Sequence, residues 1–400
     1  MAFFNAMRPS YTEDPYPALA RLRTQDPVYF SRDLDAWLVT RYADCASALH
    51  DTATFRSDFL GVEGARWDQA RARNQLVLGG VPALSAMAEP DHHRMRGSVA
   101  GAFAPPAVQR LRPRVEAIVH RLLDEARPGE PFDVMHDLAH PLPRLVIAEQ
   151  LGVAEADRNA VQQRADAIAR AIFGAGDAEE VRCAEEARAW LLDYFAHLDA
   201  ASGDAEGGGI DGAGALARML DARTAEALTA AELVGLVVDV SMAGNDPTAC
   251  LIGNGTLALL RHPDQLALLR EDPAALMPGA VDELLRYDSP LHALMRVAAT
   301  DTTLGGKRIS PGEVVYLMVG AANRDPAQFP DPDTLDLRRD AKRHLSFGAG
   351  FHRCLGAPLA RIEAEAAFTA LLARFPALRL AAVERDPDFE MRGPRRLVVE

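Results

Sequence analysis

Lysine is almost missing from this chain of 400 residues: Lys307 and Lys342 are its only two, and arginine supplies the remaining positive charge. Lysine and arginine together number 43 against 57 aspartates and glutamates, a net charge of −14. So acidic a balance speaks against nucleic acid as a partner, because phosphates want a basic face. Cysteine is scarce as well. The four, Cys45, Cys183, Cys250 and Cys354, lie far apart, which excludes a disulfide-dense secreted scaffold and a paired-cysteine zinc site. Aromatic residues make up 6%, too few to claim a stacking cage around a ligand. Long apolar runs are absent: the stretches 233–240 and 314–322 fall well short of the ~20 residues that span a bilayer. Residues 1–16 lack the basic-then-apolar pattern of a secretory leader. Together these absences predict a cytoplasmic protein without a membrane anchor.

What is there is an ordinary globular composition, 48% hydrophobic and 25% charged, long enough for two or three average domains. A short helix over residues 15–23 precedes strand-like runs at 28–31 and 36–40 and a helix over 43–50. Residues 55–86 read as loop-rich, since Gly61, Gly64, Gly79 and Gly80 fall there. From Pro90 to about Leu285 the periodicity is mostly helical. It is broken by a tight connector at 174–177 and by residues 200–214, whose six glycines mark a mobile loop. Residues 297–319 alternate in strand fashion, 326–344 form a proline-bearing meander, and 357–375 a final amphipathic helix. Early and late strands can pair with each other. The expectation therefore narrows to a single domain over residues 1–400, mainly α with small β-sheets, with mobile loops at about 55–86, 174–177 and 200–214.

The most informative segment is Phe347-Gly348-Ala349-Gly350-Phe351-His352-Arg353-Cys354-Leu355-Gly356, directly ahead of the last helix. Its glycines let the backbone turn sharply and approach a flat ligand closely. A cysteine just before a helix N-terminus has its thiol pKa lowered by free N–H groups and the helix dipole. The thiolate so favoured is a soft axial ligand for iron. The bland alternative is an inert cysteine beside a flexible loop, and six spaced positions in agreement outweigh it.

This segment resembles the haem-binding signature F-G-x-G-x-H-x-C-x-G of the cytochrome P450 family. The resemblance runs from Asp14-Pro15-Tyr16-Pro17 to the C-terminal tail. It implies the P450-type fold and haem b (iron protoporphyrin IX), with Cys354 as the metal ligand. Phe347 would pack against the thiolate, with Gly348 in the same cradle, and His352 would bond a propionate. Three further segments match in order. Glu283 and Arg286, in E-x-x-R, share a helix face; as a surface pair they would contribute under ~1 kcal/mol. The resemblance implies instead a buried triad completed by Arg339, or by Arg338 if the register is one residue off. His92 and Arg96, four residues apart on a helix, match a propionate-binding pair, and no H-E-x-x-H ligand set accompanies them to suggest zinc. Arg296 matches a third propionate contact.

Residues 231–260 form the longest apolar helix, with Glu232, Asp239 and Asp246 recurring every seven residues. The family pattern in its middle is A/G-G-x-D/E-T. Ala243, Gly244 and Asp246 fit, but Pro247 stands where the alcohol belongs. Proline has no N–H and pushes the chain apart, so it can keep an oxygen groove while removing a proton-handling hydroxyl. Thr248 is turned about 100° further round, and with Asn245 and Asp246 completes the catalytic candidates. The departure predicts a hydroxyl borrowed from substrate or water, or a reaction with other proton demands, such as C–C or C–N coupling. A plain kink without catalytic effect is the other reading.

By the same resemblance the substrate pocket takes Phe59, Trp67, Leu78, Phe173, Val240, Leu291, Leu294 and Met391. His292 is its one polar candidate, unless it faces a strand neighbour instead. The lining suits a lipophilic small molecule of bacterial secondary metabolism. The implied enzyme is a monomeric monooxygenase taking O2 and electrons from NAD(P)H, through a ferredoxin or flavodoxin with its reductase. A basic set, Arg94, Arg110, Arg112, Arg114, Lys342, Arg343 and Arg353, would steer that donor. Peroxide-driven oxidation and a non-catalytic haem-binding activator are the competing readings; the intact Cys354 loop speaks against the second.

Overall fold

Short apolar strands near the two ends of the chain meet in one sheet. The computed structural model describes residues 9–127, 130–173, 177–201 and 214–400. The glycine-rich run expected as a mobile loop and most of the 174–177 connector lie outside the described residues. The strands are β1 (Val28–Ser31), β2 (Ala36–Val39), β3 (Phe55–Arg56), β4 (Phe132–Asp133), β5 (Leu294–Ala298), β6 (Thr302–Leu304), β7 (Lys307–Ile309), β8 (Val314–Leu317), β9 (Leu380–Arg385) and β10 (Pro394–Val399). Five of them form a sheet in the order β1-β2-β8-β5-β3, in which β2 and β8 run parallel with Ala36 opposite Val314. The other sheets are β4-β10-β9 and the hairpin β6-β7. Pairing of early with late strands, expected from their alternation, is what the sheet does.

The helices are α1 (Pro9–Glu13), α2 (Tyr16–Gln25), α3 (Tyr42–His50), α4 (Ala65–Leu78), α5 (Asp91–Ala100), α6 (Pro105–Asp124), α7 (Pro141–Leu151), α8 (Arg158–Phe173), α9 (Ala178–Ala201), α10 (Ala215–Thr224), α11 (Ala230–Arg261), α12 (Pro263–Glu271), α13 (Pro273–Tyr287), α14 (Val319–Ala322) and α15 (Ala357–Arg374). Capping sets several starts. Asp272 accepts the Ala275 N–H at 3.1 Å, and Asp177 accepts those of Glu179 and Glu180 at the start of α9. One expectation fails here. Residues 55–86 are not all loop, because α4 occupies much of them. Trp67, Asn74 and Leu78 are buried at helical spacing. Gly64 and Gly79 bracket the helix rather than interrupt it, Gly79 ending it in the left-handed conformation at φ +67°.

The described chain forms two compact units. One holds the described residues within 1–56, 115–143 and 246–400; the other holds those within 57–114 and 144–245. The core of the first packs Leu251 and Leu259 of α11 against Val281 and Leu284 of α13, Phe368 of α15, and Leu335 and Leu337 of the meander. Among the described residues no helix is long and apolar enough to cross a membrane.

Candidate functional site

The cysteine loop is held in shape by its own backbone and by what lies under it. The Cys354 N–H donates to the Phe347 carbonyl at 2.9 Å, closing the loop just before α15. Gly348 and Gly350 take φ of +64° and +67°, a region that L side chains rarely adopt. Gly350 also has no room: a Cβ there would lie 2.7 Å from the Leu49 carbonyl oxygen at the end of α3. Burial separates the cysteines. Cys45 and Cys250 are buried, and burial pushes both thiols up, Cys250 to about 12; Cys354 is exposed. Phe347 is half-buried, with the Arg361 guanidinium 4.6 Å above its ring.

Beneath this loop lies the E-x-x-R pair, with both side chains fully buried. Arg286 donates to Glu283 through Nε at 2.6 Å and Nη2 at 2.9 Å. It also donates to the carbonyls of Asn323, Pro332 and Thr334. Arg339 completes the triad, its Nε 3.2 Å from Glu283, so the register expected at Arg339 holds and the Arg338 alternative falls away. Arg339 also donates to the Pro330 and Asp331 carbonyls. Two residues that the motif did not flag carry the connection onward. Asn323 accepts the Leu345 N–H at 2.7 Å and donates to Ser346 Oγ at 2.9 Å, and Ser346 donates to the Leu285 carbonyl. Asp282 adds a second link: burial alone would raise its carboxyl, but His344 and Arg361 beside it hold it below the usual range.

Arg296 lies in β5, two residues from Leu294, so the two side chains share one face of the strand. Leu294 Cδ1 is the nearest atom to where a Cβ on Gly348 would be, at 3.9 Å, so this face looks toward the cysteine loop. Arg296 is buried; among the described residues its Nε has no hydrogen-bond partner and its Nη1 reaches only the neighbouring Met295 carbonyl. Burial pushes the guanidinium down to about 10. A desolvated cation with no carboxylate beside it is costly unless an anion completes it. A flat cofactor bearing carboxylates, ligated by Cys354, supplies that anion, so the residues present fit haem. In the other unit, α5 carries His92, which is buried, and Arg96, which is half-buried, one turn apart. Burial and the adjacent Arg96 push the His92 imidazole down to about 4, so it is neutral at physiological pH.

Helix α11 continues through Pro247 without interruption. Over its middle, the residues that keep accessible surface are Asp239, Val240, Met242, Ala243, Gly244, Asp246 and Pro247, which fall on one side of the helix. Asn245 and Thr248 do not join them. Both are buried, on the opposite side of the helix from Asp246. Of the expected pocket residues, Phe59 and Trp67 stack 5.5 Å apart, Leu78 is buried, and Phe173 closes α8. Leu291 pairs with Met391 in a β-bridge. His292 is buried, 3.3 Å from the Tyr16 hydroxyl and 3.8 Å from Asp288. The basic set thins out likewise. Arg94 is paired with Asp91 and Glu232, and Arg114 with Glu149. Lys342, Arg343 and Arg353 line a cavity of about 230 Å³ beside the cysteine loop, with His50 and Tyr42.

A thiol in a glycine-shaped loop, a buried triad behind it and an uncompensated buried arginine on the facing strand define a haem-thiolate protein, and the chain belongs to the cytochrome P450 family. The Cytochrome P450 family model matches residues 209–392. The chain is 39% identical to 6-deoxyerythronolide B hydroxylase of Saccharopolyspora erythraea, over 93% of this chain and 91% of that one. It is 40% identical to the cytochrome P450 monooxygenase PikC of Streptomyces venezuelae, over 94% and 87%. The epothilone D-bound cytochrome P450epoK superposes with a TM-score of 0.88 at 31% identity, covering 99% of this chain and 98% of that one.

Proposed function

We propose that this P450 oxidises a lipophilic small molecule of bacterial secondary metabolism, using O2 and electrons delivered by an acidic ferredoxin- or flavodoxin-type partner from NAD(P)H. The observation that carries the haem assignment is the buried Arg296 Nε without a partner. Cys354 would ligate the iron, while Arg296, His352, His92 and Arg96 would meet the propionates. When bound, the haem supplies dioxygen activation, favoured by electron density from the thiolate sulfur. The chain's own part is to position and to exclude water. Val240 and Ala243 would offer substrate an apolar surface, and Asp246, on the same helix face, would offer a carboxylate for proton handling. The cavity lined by Lys342, Arg343 and Arg353 supports docking of an acidic electron donor beside the cysteine loop.

Pro247 favours a second reading, oxidation with altered proton demand, because no hydroxyl follows Asp246 on the accessible face of α11. The test begins with the carbon monoxide difference spectrum of reduced protein, which reports thiolate ligation and is lost in Cys354→Ser. Donor-driven reduction is then followed against salt in wild type and Lys342→Glu. Slowing by both supports the docking cavity, and indifference to both refutes it. Product formed per reduced nucleotide consumed, in wild type and Pro247→Thr, separates the two chemistries. Unchanged coupling in Pro247→Thr sinks the second.

A further inference from the structure

Asp239 is an anomaly on α11. It follows the apolar stretch Leu233–Val238, and its only hydrogen bond among the described residues is from the Leu84 N–H to Oδ2, at 2.5 Å. Four other partly buried carboxylates of the same unit have cations or hydroxyls: Glu149 has Arg114 and Arg158, Asp166 has Arg144, Glu232 has Arg94, Asp157 has the Tyr194 hydroxyl. Asp239 has none. It is half-buried, on the accessible face that it shares with Val240 and Ala243. The segment ahead of α5 frames it. Val81 packs so closely on Gly235, one turn before Asp239, that a Cβ there would sit 3.2 Å from Val81 Cγ1. Asn74 Nδ2 holds the Val81 carbonyl at 3.0 Å. The 81–84 segment is thus clamped along the helix at two points, leaving Oδ1 of Asp239 unengaged. Burial, with no cation to oppose it, pushes this carboxyl up to about 7.

We infer that Asp239 is a substrate anchor for a protonated amine carried on an otherwise apolar molecule. This rests on the monooxygenase reading and narrows its substrate class. The apolar neighbours dehydrate the ligand's carbon frame, and the ammonium N–H meets Oδ1 while Oδ2 keeps the Leu84 N–H. A cation arriving there favours the carboxylate, and the proton that Asp239 held is released to water. Neutral lipophilic molecules gain nothing from the group. The 81–86 segment brings no charge to this spot. Along α11 the next charges are Glu232, already held by Arg94, and Asp246, two turns further on. On α5, His92 titrates at about 4, well below the pH range that matters.

The test uses the haem-loaded protein and two probes of equal reach, N,N-dimethyldecylamine and the neutral N,N-dimethyldecanamide, titrated by calorimetry at about pH 5.5 and pH 8.5. The amine stays protonated across that range, as an alkylamine does. With a carboxyl near pH 7, amine affinity should rise roughly 15–30-fold from the lower to the higher pH, while the amide stays flat. Asp239→Asn, which keeps an acceptor for the Leu84 N–H, should abolish that rise, and Asp239→Glu should keep it. Wild type that binds amine no better than amide at the higher pH, or whose amine affinity ignores pH, overturns the anchor. So does an Asn variant that retains the full pH rise. Carbon monoxide difference spectra of the same samples keep the two readings apart. A lost thiolate spectrum defeats the haem-thiolate assignment itself, whereas an intact one with pH-independent binding defeats only the anchor.

Discussion

Replacing Glu283 by glutamine tests the claim that the triad is a buried support rather than an ordinary helix-surface pair. In the folded chain the Glu283 carboxylate accepts from Arg286 Nε at 2.6 Å and Nη2 at 2.9 Å, from the Asp336 N–H at 3.0 Å, and from Arg339 Nε at 3.2 Å. Glutamine keeps one oxygen but turns the other position into a donor facing a donor. It also leaves two guanidiniums without their counter-charge in a place where both partners of the central pair have 0% side-chain exposure. Removing one partner of such a buried pair costs about 3–5 kcal/mol. The same change in an exposed pair costs about 0.2–1 kcal/mol. The gap of about 3 kcal/mol is more than 100-fold in the folded-to-unfolded ratio. Urea unfolding followed by far-ultraviolet circular dichroism, with slopes compared so that the midpoint reads as stability, measures it. Haem absorbance per chain should fall in parallel, since the meander and the cysteine loop hang from this node. A loss below about 1 kcal/mol with normal haem content would refute the reasoning.

Two further predictions follow from the same loop and strand. Arg296→Gln should hold or raise the melting temperature of the haem-free protein, because a buried uncompensated cation is gone, while haem is lost faster to a competing acceptor; a less stable apoprotein that retains haem normally contradicts the fit. Gly350→Ala must adopt a positive φ and displace the Leu49 carbonyl, a strain of about 1–3 kcal/mol before the clash is counted. Reduced carbon monoxide-binding spectrum per milligram is the expected outcome, and full loading would show that the loop has slack.

Much of this site was legible in the chain because its chemistry is local. The glycines, the cysteine and the helix that follows are consecutive, and the i, i+3 spacing of Glu283 and Arg286 places both on one face. What the spacing could not supply was burial. Arg286 is enclosed by carbonyls of residues 323, 332 and 334, and Arg339 wins over Arg338 only once the meander's turns are in place. Helix α4 is hard to see in the chain because glycines stand at both of its ends. The partners of His292, Tyr16 and Asp288, come from a distant segment and a preceding helix end, so its surroundings cannot be read from the local sequence. Asn245 and Thr248 adjoin Asp246 in sequence, but helical rotation buries both, which adjacency alone does not show.

The parallel joining of β2 to β8 has a consequence for how the chain is made. Ala36 must wait for Val314, some 280 residues later, before the middle of the five-stranded sheet can close. At ~5–20 residues per second, translation leaves that N-terminal hairpin with an open edge for roughly 15–55 s. During that interval β2 presents unpaired N–H and C=O groups with Trp37, Leu38 and Val39 beside them, which is the kind of edge that recruits other chains. Aggregation during synthesis should therefore be set by the rate at which the ribosome delivers β8, and slowing elongation between these strands is the change to which yield of this protein would respond.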